Sequence, residues 1–146
     1  MAEKVPPQNI EAEQSLIGSM LIDKDAVISV SGWLLPEHFY EERNGIIYAN
    51  ILELFNEALP VDLITLSDLL KKKKQLTKIG GRTYLADLVA MVPTSAHAEE
   101  YGEIVKESAT RRGLISASRD ITELAFNESM KIDMVMDESE KRIFDV

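Results

Sequence analysis

The sequence predicts an all-α fold, a small globular helical head followed by a long helical hairpin. Apolar residues recur at the three- and four-residue spacing of amphipathic helices through most of the chain. No segment of useful length alternates apolar and polar residues as a half-buried strand does. Beyond Pro93 the chain contains no proline, so long uninterrupted helices can form there.

Residues 1–8 are predicted to form a flexible N-terminal arm, because they are polar and include Pro6-Pro7, which disfavours helix. Asn9 has a side chain suited to an N-cap and precedes apolar residues at helical spacing. The first helix is therefore expected to run from Asn9 to about Ile22 and to open the helical head, residues 9–93.

Four further helices are expected in the head, over residues 25–34, 43–58, 66–74 and 82–91. Thr65, with Asp68 three residues on, looks like the start of a capping box and is taken as the N-cap of the third of them. Gly80-Gly81 is expected to form the turn that opens the last one.

Two long helices after Pro93 predict a helical hairpin. The first long helix is placed within residues 94–128, with Thr94 or Ser95 as its N-cap. The second hairpin helix is placed within residues 129–146, with Asp133 as its N-cap, and is expected to lead toward a linker.

The apolar stripe of the first long helix changes sides near residues 111–113. Tyr101 and Val105 lie on one side before this point, and Leu114 and Ala117 lie on the opposite side after it. A helix inside a single globule keeps one core-facing stripe. The first half is therefore predicted to pack on the head and the second half to project, with Gly113 either allowing close packing or marking a bend.

The projecting hairpin has too small a core to stand alone, so a second copy of it is the predicted partner. The residues expected to mediate this self-association are Leu114, Ala117, Ile121, Leu124, Val135 and Ile143. The alternative is a self-contained two-helix coil, in which the last helix covers the second half of the preceding one. Ile115 belongs to neither side and is expected to be exposed.

The net charge of −9 argues against a domain that grips DNA by itself, because phosphate binding needs a basic surface. The absence of cysteine excludes disulfides and cysteine-ligated metal sites. No apolar run approaches the roughly 20 residues of a membrane span. We expect a soluble, cytoplasmic protein with weak or no DNA binding and no membrane contact.

Enzyme chemistry is the least favoured class, and no catalytic, cofactor or metal site is expected. The phosphate loop G-x-x-x-x-G-K-[ST] is missing, and Gly80-Gly81 lacks the lysine and the preceding strand that such a loop needs. His38 and His97, the two histidines, have no ligand spacing around them. The basic run at residues 71–74 is interpreted as a solvated helix end.

An ordered set of short segments carries a family resemblance. They are Val5-Pro6-Pro7, Ile10-Glu11-Ala12-Glu13-Gln14, Leu16-Ile17-Gly18, Phe39-Tyr40, Ile46-Ile47-Tyr48, Pro60-Val61-Asp62, Thr65-Leu66, Gly80-Gly81, Tyr84-Leu85, Pro93-Thr94, Tyr101, Ile104-Val105 and Arg111-Arg112. This set, which covers essentially the whole chain, resembles the N-terminal domain of the bacterial DnaB-like replicative helicases. Asn44, where the family commonly has histidine, and Gly113 depart from the pattern.

The resemblance implies a collar domain. In the family, hairpins pair, the pairs form a trimer-of-dimers collar on a hexamer, and a linker helix leads to a RecA-like ATPase domain that holds ATP and magnesium. That domain unwinds DNA in the 5′ to 3′ direction, and DNA would be contacted through the full-length hexamer.

The resemblance also implies partners. The collar recruits primase through the C-terminal helicase-binding domain of that enzyme, which forms the primosome. The candidate primase contacts in this chain are Tyr84, Ile115 and Ile121, and a helicase loader is a further candidate partner. The alternative hypothesis is a free-standing helical adaptor or helicase regulator without an ATPase domain. A small helical enzyme is the third, but the sequence offers no site for it.

Overall fold

The computed structural model describes residues 4–146, so Met1, Ala2 and Glu3 of the predicted arm lie outside the described residues. The elements in order are α1 (Ile10–Ile22), α2 (Lys24–Ser31), a 3₁₀ turn (Pro36–His38), α3 (Glu42–Asn56), α4 (Leu63–Lys72), α5 (Gly81–Ala90), α6 (Ala98–Phe126) and α7 (Ile132–Phe144). No strand occurs within residues 4–146, and the predicted all-α fold is confirmed.

Helix α1 lies at the centre of the head and contacts α2, α3, α5 and α6. Leu16, Ile17 and Met20 are fully buried there. Each such side chain contributes about 1.5–3 kcal/mol of hydrophobic free energy on burial. Gly18 lets α5 approach closely, since a Cβ at this position would lie 2.2 Å from the carbonyl oxygen of Leu88.

The helix caps confirm one prediction and correct another. The Asn9 side chain accepts a hydrogen bond from the backbone N–H of Ala12 at 2.9 Å, as expected of an N-cap. The cap of α4 is Asp62 and not Thr65, because Thr65 is already helical. The Asp62 carboxylate accepts from the Thr65 N–H at 2.9 Å, and the Thr65 hydroxyl accepts from the Asp62 N–H at 3.0 Å.

The predicted caps of both hairpin helices are also wrong. Helix α6 begins at Ala98, and its N-cap residue is His97. The Ser95 hydroxyl instead donates to the carboxylate of Asp23, the N-cap residue of α2, at 3.0 Å. Helix α7 is preceded by Lys131 and contains Asp133 in its first turn. There the negative charge still interacts favourably with the helix dipole.

A buried carboxylate joins α1 to the start of α3. Glu13 is only 1% exposed, and it accepts hydrogen bonds from the backbone N–H groups of Tyr40 and Glu41 at 2.7 and 3.3 Å. The fully buried Asn44 side chain donates to the same carboxylate at 3.1 Å. A buried acid needs such donors to offset its lost hydration. This cluster therefore determines how the turn before α3 sits on α1.

Helix α6 is continuous and passes from the head into the hairpin. Its first half packs on the head, where Gly102 leaves room for Trp33 and Val30. At Gly113 a Cβ would lie 3.1 Å from Val146 Cγ1, so this glycine allows the end of the chain to pack closely against α6. Of the two roles expected for Gly113, the structure supports close packing.

We predict that Glu13→Ala lowers the free energy of unfolding by about 3 kcal/mol, because it leaves several N–H donors beside the core without an acceptor. Glu11 is exposed on the same helix, and Glu11→Ala should change stability by no more than about 0.5 kcal/mol. Urea unfolding followed by circular dichroism measures both. Equal losses in the two variants would contradict the role assigned to Glu13.

The N-cap of α4 gives a pH-dependent prediction. The hydrogen bond from the Thr65 backbone lowers the pKa of Asp62 below its ordinary value of 3.8. The folded state favours the ionised carboxylate. Its stabilising effect is therefore fully present at pH values above the unfolded-state pKa of 3.8, and it declines as the pH falls through the lower folded-state pKa. Asp62→Ala should therefore cost about 1 kcal/mol at neutral pH and less in acid.

Asp62→Asn is the matched control for the cap, because the amide oxygen accepts the same hydrogen bond without a titratable charge. It should retain most of the stability over the whole pH range. Urea unfolding of the wild type, Asp62→Ala and Asp62→Asn at neutral and acidic pH measures the free energies of unfolding that test this prediction. A cost of Asp62→Ala that did not vary with pH would rule out the ionised carboxylate as its source.

Candidate protein-interaction site

The two hairpin helices meet along a short seam. Ala117 on α6 and Val135 on α7 are buried in it, and Leu124 is half-buried beside them. Arg142 and Asp120 form a surface ion pair across the seam at 3.7 Å, which contributes little stability. Since the chain itself covers Ala117 and Val135, these two predicted self-association residues are removed from the exposed surface.

One flank of the hairpin is an exposed apolar surface, which we call the apolar hairpin face. At about 100° per residue, Leu114 and Ile121 lie on the same side of α6. Ile121 also shares a shallow groove with Ile143 of α7. Four members are substantially exposed: Leu114 (47%), Ile132 (70%), Met136 (54%) and Ile143 (50%). The predicted change of stripe on α6 thus leaves an apolar surface that the described part of the chain does not cover.

The other flank of α6 forms a groove with the start of the chain, which we call the arm groove. It is a cavity of about 610 Å³ lined by residues 4–6, Tyr40, Arg112, Ile115 and Arg119. Arg112 donates a hydrogen bond to the carbonyl oxygen of Pro7 at 2.7 Å, which links the described part of the predicted arm to α6. Ile115 is 39% exposed within this groove.

The three candidate primase contacts do not form one surface. Ile115 lies in the arm groove, whereas Ile121 lies in the groove of the apolar hairpin face, about 120° away around α6. Tyr84 lies on α5 in the head. One partner therefore either contacts some of these three residues and not the others, or covers two faces of the domain.

The Tyr84 side chain is held in the head by hydrogen bonds. Its hydroxyl donates to the Asn44 side chain at 2.6 Å and accepts from the Gln14 side chain at 3.3 Å. Burial raises the pKa of Tyr84, so the hydroxyl remains a donor at neutral pH. The Arg43 guanidinium lies 3.7 Å from the ring centroid. The surface offered to a partner here is Arg43 together with the ring edge.

Sequence reasoning missed Arg43 and Glu13 as parts of this region. Only the departure of Asn44 from the family pattern pointed toward it. The turn at Gly80, with φ of +104°, brings Tyr84 against Arg43. Such a backbone conformation favours glycine, and the predicted turn is confirmed.

His38 has a structural role. Its Nδ1 accepts the Leu35 backbone N–H at 2.9 Å, and its carbonyl oxygen accepts from Arg112 at 2.8 Å. Burial, with a contribution from Lys106, lowers the pKa of His38. Within residues 4–146, no group of histidine, aspartate and glutamate side chains is arranged to hold a metal ion. None of the helices described is both long and apolar enough to span a bilayer.

The chain is similar to replicative helicases over nearly its whole length. It is 37% identical over 145 residues to the replicative DNA helicase DnaB of Geobacillus stearothermophilus and 35% identical over 144 residues to the replicative DNA helicase DnaC of Bacillus subtilis. Each alignment covers 99% of this chain and 32% of the relative. The chain thus spans about a third of the length of the curated relatives it matches.

Solved structures agree with the sequence similarity. The N-terminal domain of DnaB helicase from Mycobacterium tuberculosis superposes with a TM-score of 0.93 at 36% identity, over 97% of this chain and 100% of that one. A second structure, described as a DnaB-like replicative helicase and its interactions with primase, gives a TM-score of 0.78 at 26% identity. That superposition covers 94% of this chain and 31% of the other.

The family assignment rests on all of these comparisons together. The sequence model of the DnaB-like helicase N-terminal domain matches residues 5–107, which is more than half of the chain. The relatives are replicative helicases, and the part of them that aligns here is the N-terminal domain, without the ATPase part. The chain therefore belongs to the DnaB-like helicase N-terminal domain family.

Proposed function

We propose that this chain is the collar domain of a replicative helicase, which assembles the ring and docks partner proteins. The observation that carries the proposal is the apolar hairpin face. A hairpin that buries only Ala117 and Val135 in its own seam leaves Leu114, Ile132 and Ile143 in water. Exposed apolar surfaces of this kind mark protein interfaces.

A second hairpin is the partner that fits this face best. The face is formed by both helices of the hairpin, so two copies related by a two-fold axis present the same surface to each other. Such a contact buries aliphatic side chains at its centre, where charged residues are disfavoured. Three such pairs would form the trimer-of-dimers collar of a hexamer.

Docking of primase is the second part of the proposal. It is supported by similarity to a structure described as a helicase and its interactions with primase. Among the candidate contacts, Ile115 in the arm groove and the Tyr84 edge beneath Arg43 remain accessible when the apolar hairpin face is covered. Ile121 lies on that face and belongs to self-association in this proposal.

The remaining activities belong to the whole protein. ATP-dependent unwinding of DNA in the 5′ to 3′ direction, with magnesium, would reside in an ATPase domain beyond the part aligned here. The net charge of −9 supports contact with DNA through other parts of the hexamer. A helicase loader is a further candidate partner, and the cytoplasm is the proposed location.

We predict that the purified chain self-associates through the apolar hairpin face. Light scattering coupled to size exclusion should give a mass above the 16.4 kDa monomer. Ile143→Asp should weaken the dimer about tenfold or more, because it places a charge in an apolar contact. Met134 is similarly exposed on another side of α7, so Met134→Asp is the matched control and should leave the mass unchanged.

A wild-type chain that stayed monomeric at high concentration would contradict the assembly proposal. So would equal weakening by Ile143→Asp and Met134→Asp, because that result would place the interface outside the apolar hairpin face.

For docking, we predict that Ile115→Asp weakens binding of the cognate primase C-terminal domain about tenfold, since an aliphatic anchor is replaced by a charge. Isothermal titration calorimetry measures the dissociation constant. Ile64 is exposed on α4 in the head and lines neither the arm groove nor the groove of the apolar hairpin face, so Ile64→Asp serves as the control with unchanged affinity. No primase binding by the wild type would contradict docking, whereas an unchanged affinity of Ile115→Asp would refute only this contact.

A further inference from the structure

We propose that the arm groove is a docking site for an acidic peptide segment of another protein, one that carries at least one aliphatic side chain. Its chemistry is read from the lining of the groove. The groove also contains Ile115, the candidate primase contact, so the inference adds the chemistry of the segment that would bind there. It is tested with peptides and without primase, so its failure can be distinguished from failure of primase docking.

Charge complementarity is the first argument. The chain has 25 acidic and 16 basic residues, yet the part of the arm groove that residues 4–146 form is lined by Lys4, Arg112 and Arg119 and by no carboxylate. Within residues 4–146, none of these three cations takes part in an ion pair. A concave basic site on an acidic surface concentrates field and attracts a negatively charged segment.

The groove is held in shape before any partner arrives. Arg112 donates to the carbonyl oxygens of Pro7 at 2.7 Å and His38 at 2.8 Å, and its guanidinium lies 5.3 Å from the Tyr40 ring centroid. These contacts fix the arm, the 3₁₀ turn and α6 relative to one another. Binding of a partner therefore loses less conformational entropy than it would if the arm had first to be ordered.

Apolar atoms supply a place for an aliphatic side chain. Val5, Pro6 and Ile115 line the groove, and its volume of about 610 Å³ is enough for several side chains of a bound segment. Arg119 and Lys4 lie at the same groove. The combination fits an acidic segment with a leucine-like residue better than a fully polar one.

A protein segment fits this groove better than a nucleic acid strand. Three cations neutralise only a few phosphates, while the net charge of −9 repels a polyanion. Single-stranded nucleic acid also needs aromatic rings for its bases to stack on. Tyr40 is the aromatic side chain of the lining, and Arg112 already interacts with its ring.

The test is selection of peptides from a random phage-displayed library on the full chain. Selected sequences should be rich in aspartate and glutamate with a recurring aliphatic residue. The most enriched peptide, made with a fluorescent label, should lose about tenfold in affinity on Arg119→Glu and severalfold on Ile115→Ala, by fluorescence anisotropy. Its affinity should also fall as salt rises.

The matched control is Arg111→Glu, the same charge reversal on the same helix at a residue outside the groove. It should leave peptide affinity nearly unchanged, and circular dichroism checks that all variants remain helical. Equal losses for Arg119→Glu and Arg111→Glu would overturn the proposal, as would selection of basic or neutral peptides or of none. Tighter, Arg119-dependent binding of oligothymidylate would overturn it in favour of nucleic acid.

Discussion

Arg112 donates hydrogen bonds to the carbonyl oxygens of Pro7 and His38 and so joins the arm, the 3₁₀ turn and α6 at one point. Charge-assisted hydrogen bonds of this kind are about twice as strong as neutral ones. This point lies where α6 leaves the head and enters the hairpin. The shape of the arm groove depends directly on these contacts, and the hairpin begins just beyond them.

The projecting hairpin has two flanks of different chemistry. One flank is the apolar hairpin face, which leaves Ile132 and Ile143 in water. The other holds the arm groove, where Arg119 and Ile115 combine positive charge with apolar area. Because the flanks lie on different sides of α6, the proposed pairing of hairpins leaves the arm groove open for the proposed docking of a peptide segment. The two proposed contacts are thus separated by geometry.

Local signals predicted the elements well and their boundaries less well. Asn9 is predictable as an N-cap because capping is local: its side chain accepts a hydrogen bond from the backbone N–H of Ala12, three residues on. Thr65 has the side chain of an N-cap residue but is the second member of a reciprocal pair with Asp62, and local sequence does not distinguish the two positions. The buried Glu13 cluster gave no local signal at all, since its donors come from residues far along the chain.

Periodicity and composition alone determined the all-α class, the head and hairpin, and the change of apolar stripe on α6, because these follow from the helical repeat within one segment. Only the tertiary structure decided which stripe residues the chain covers. It buried Ala117 and Val135 in the seam and exposed Ile143. It also separated Ile115 from Ile121. Exposure depends on which distant segment packs against a residue, and helical spacing contains no information about that.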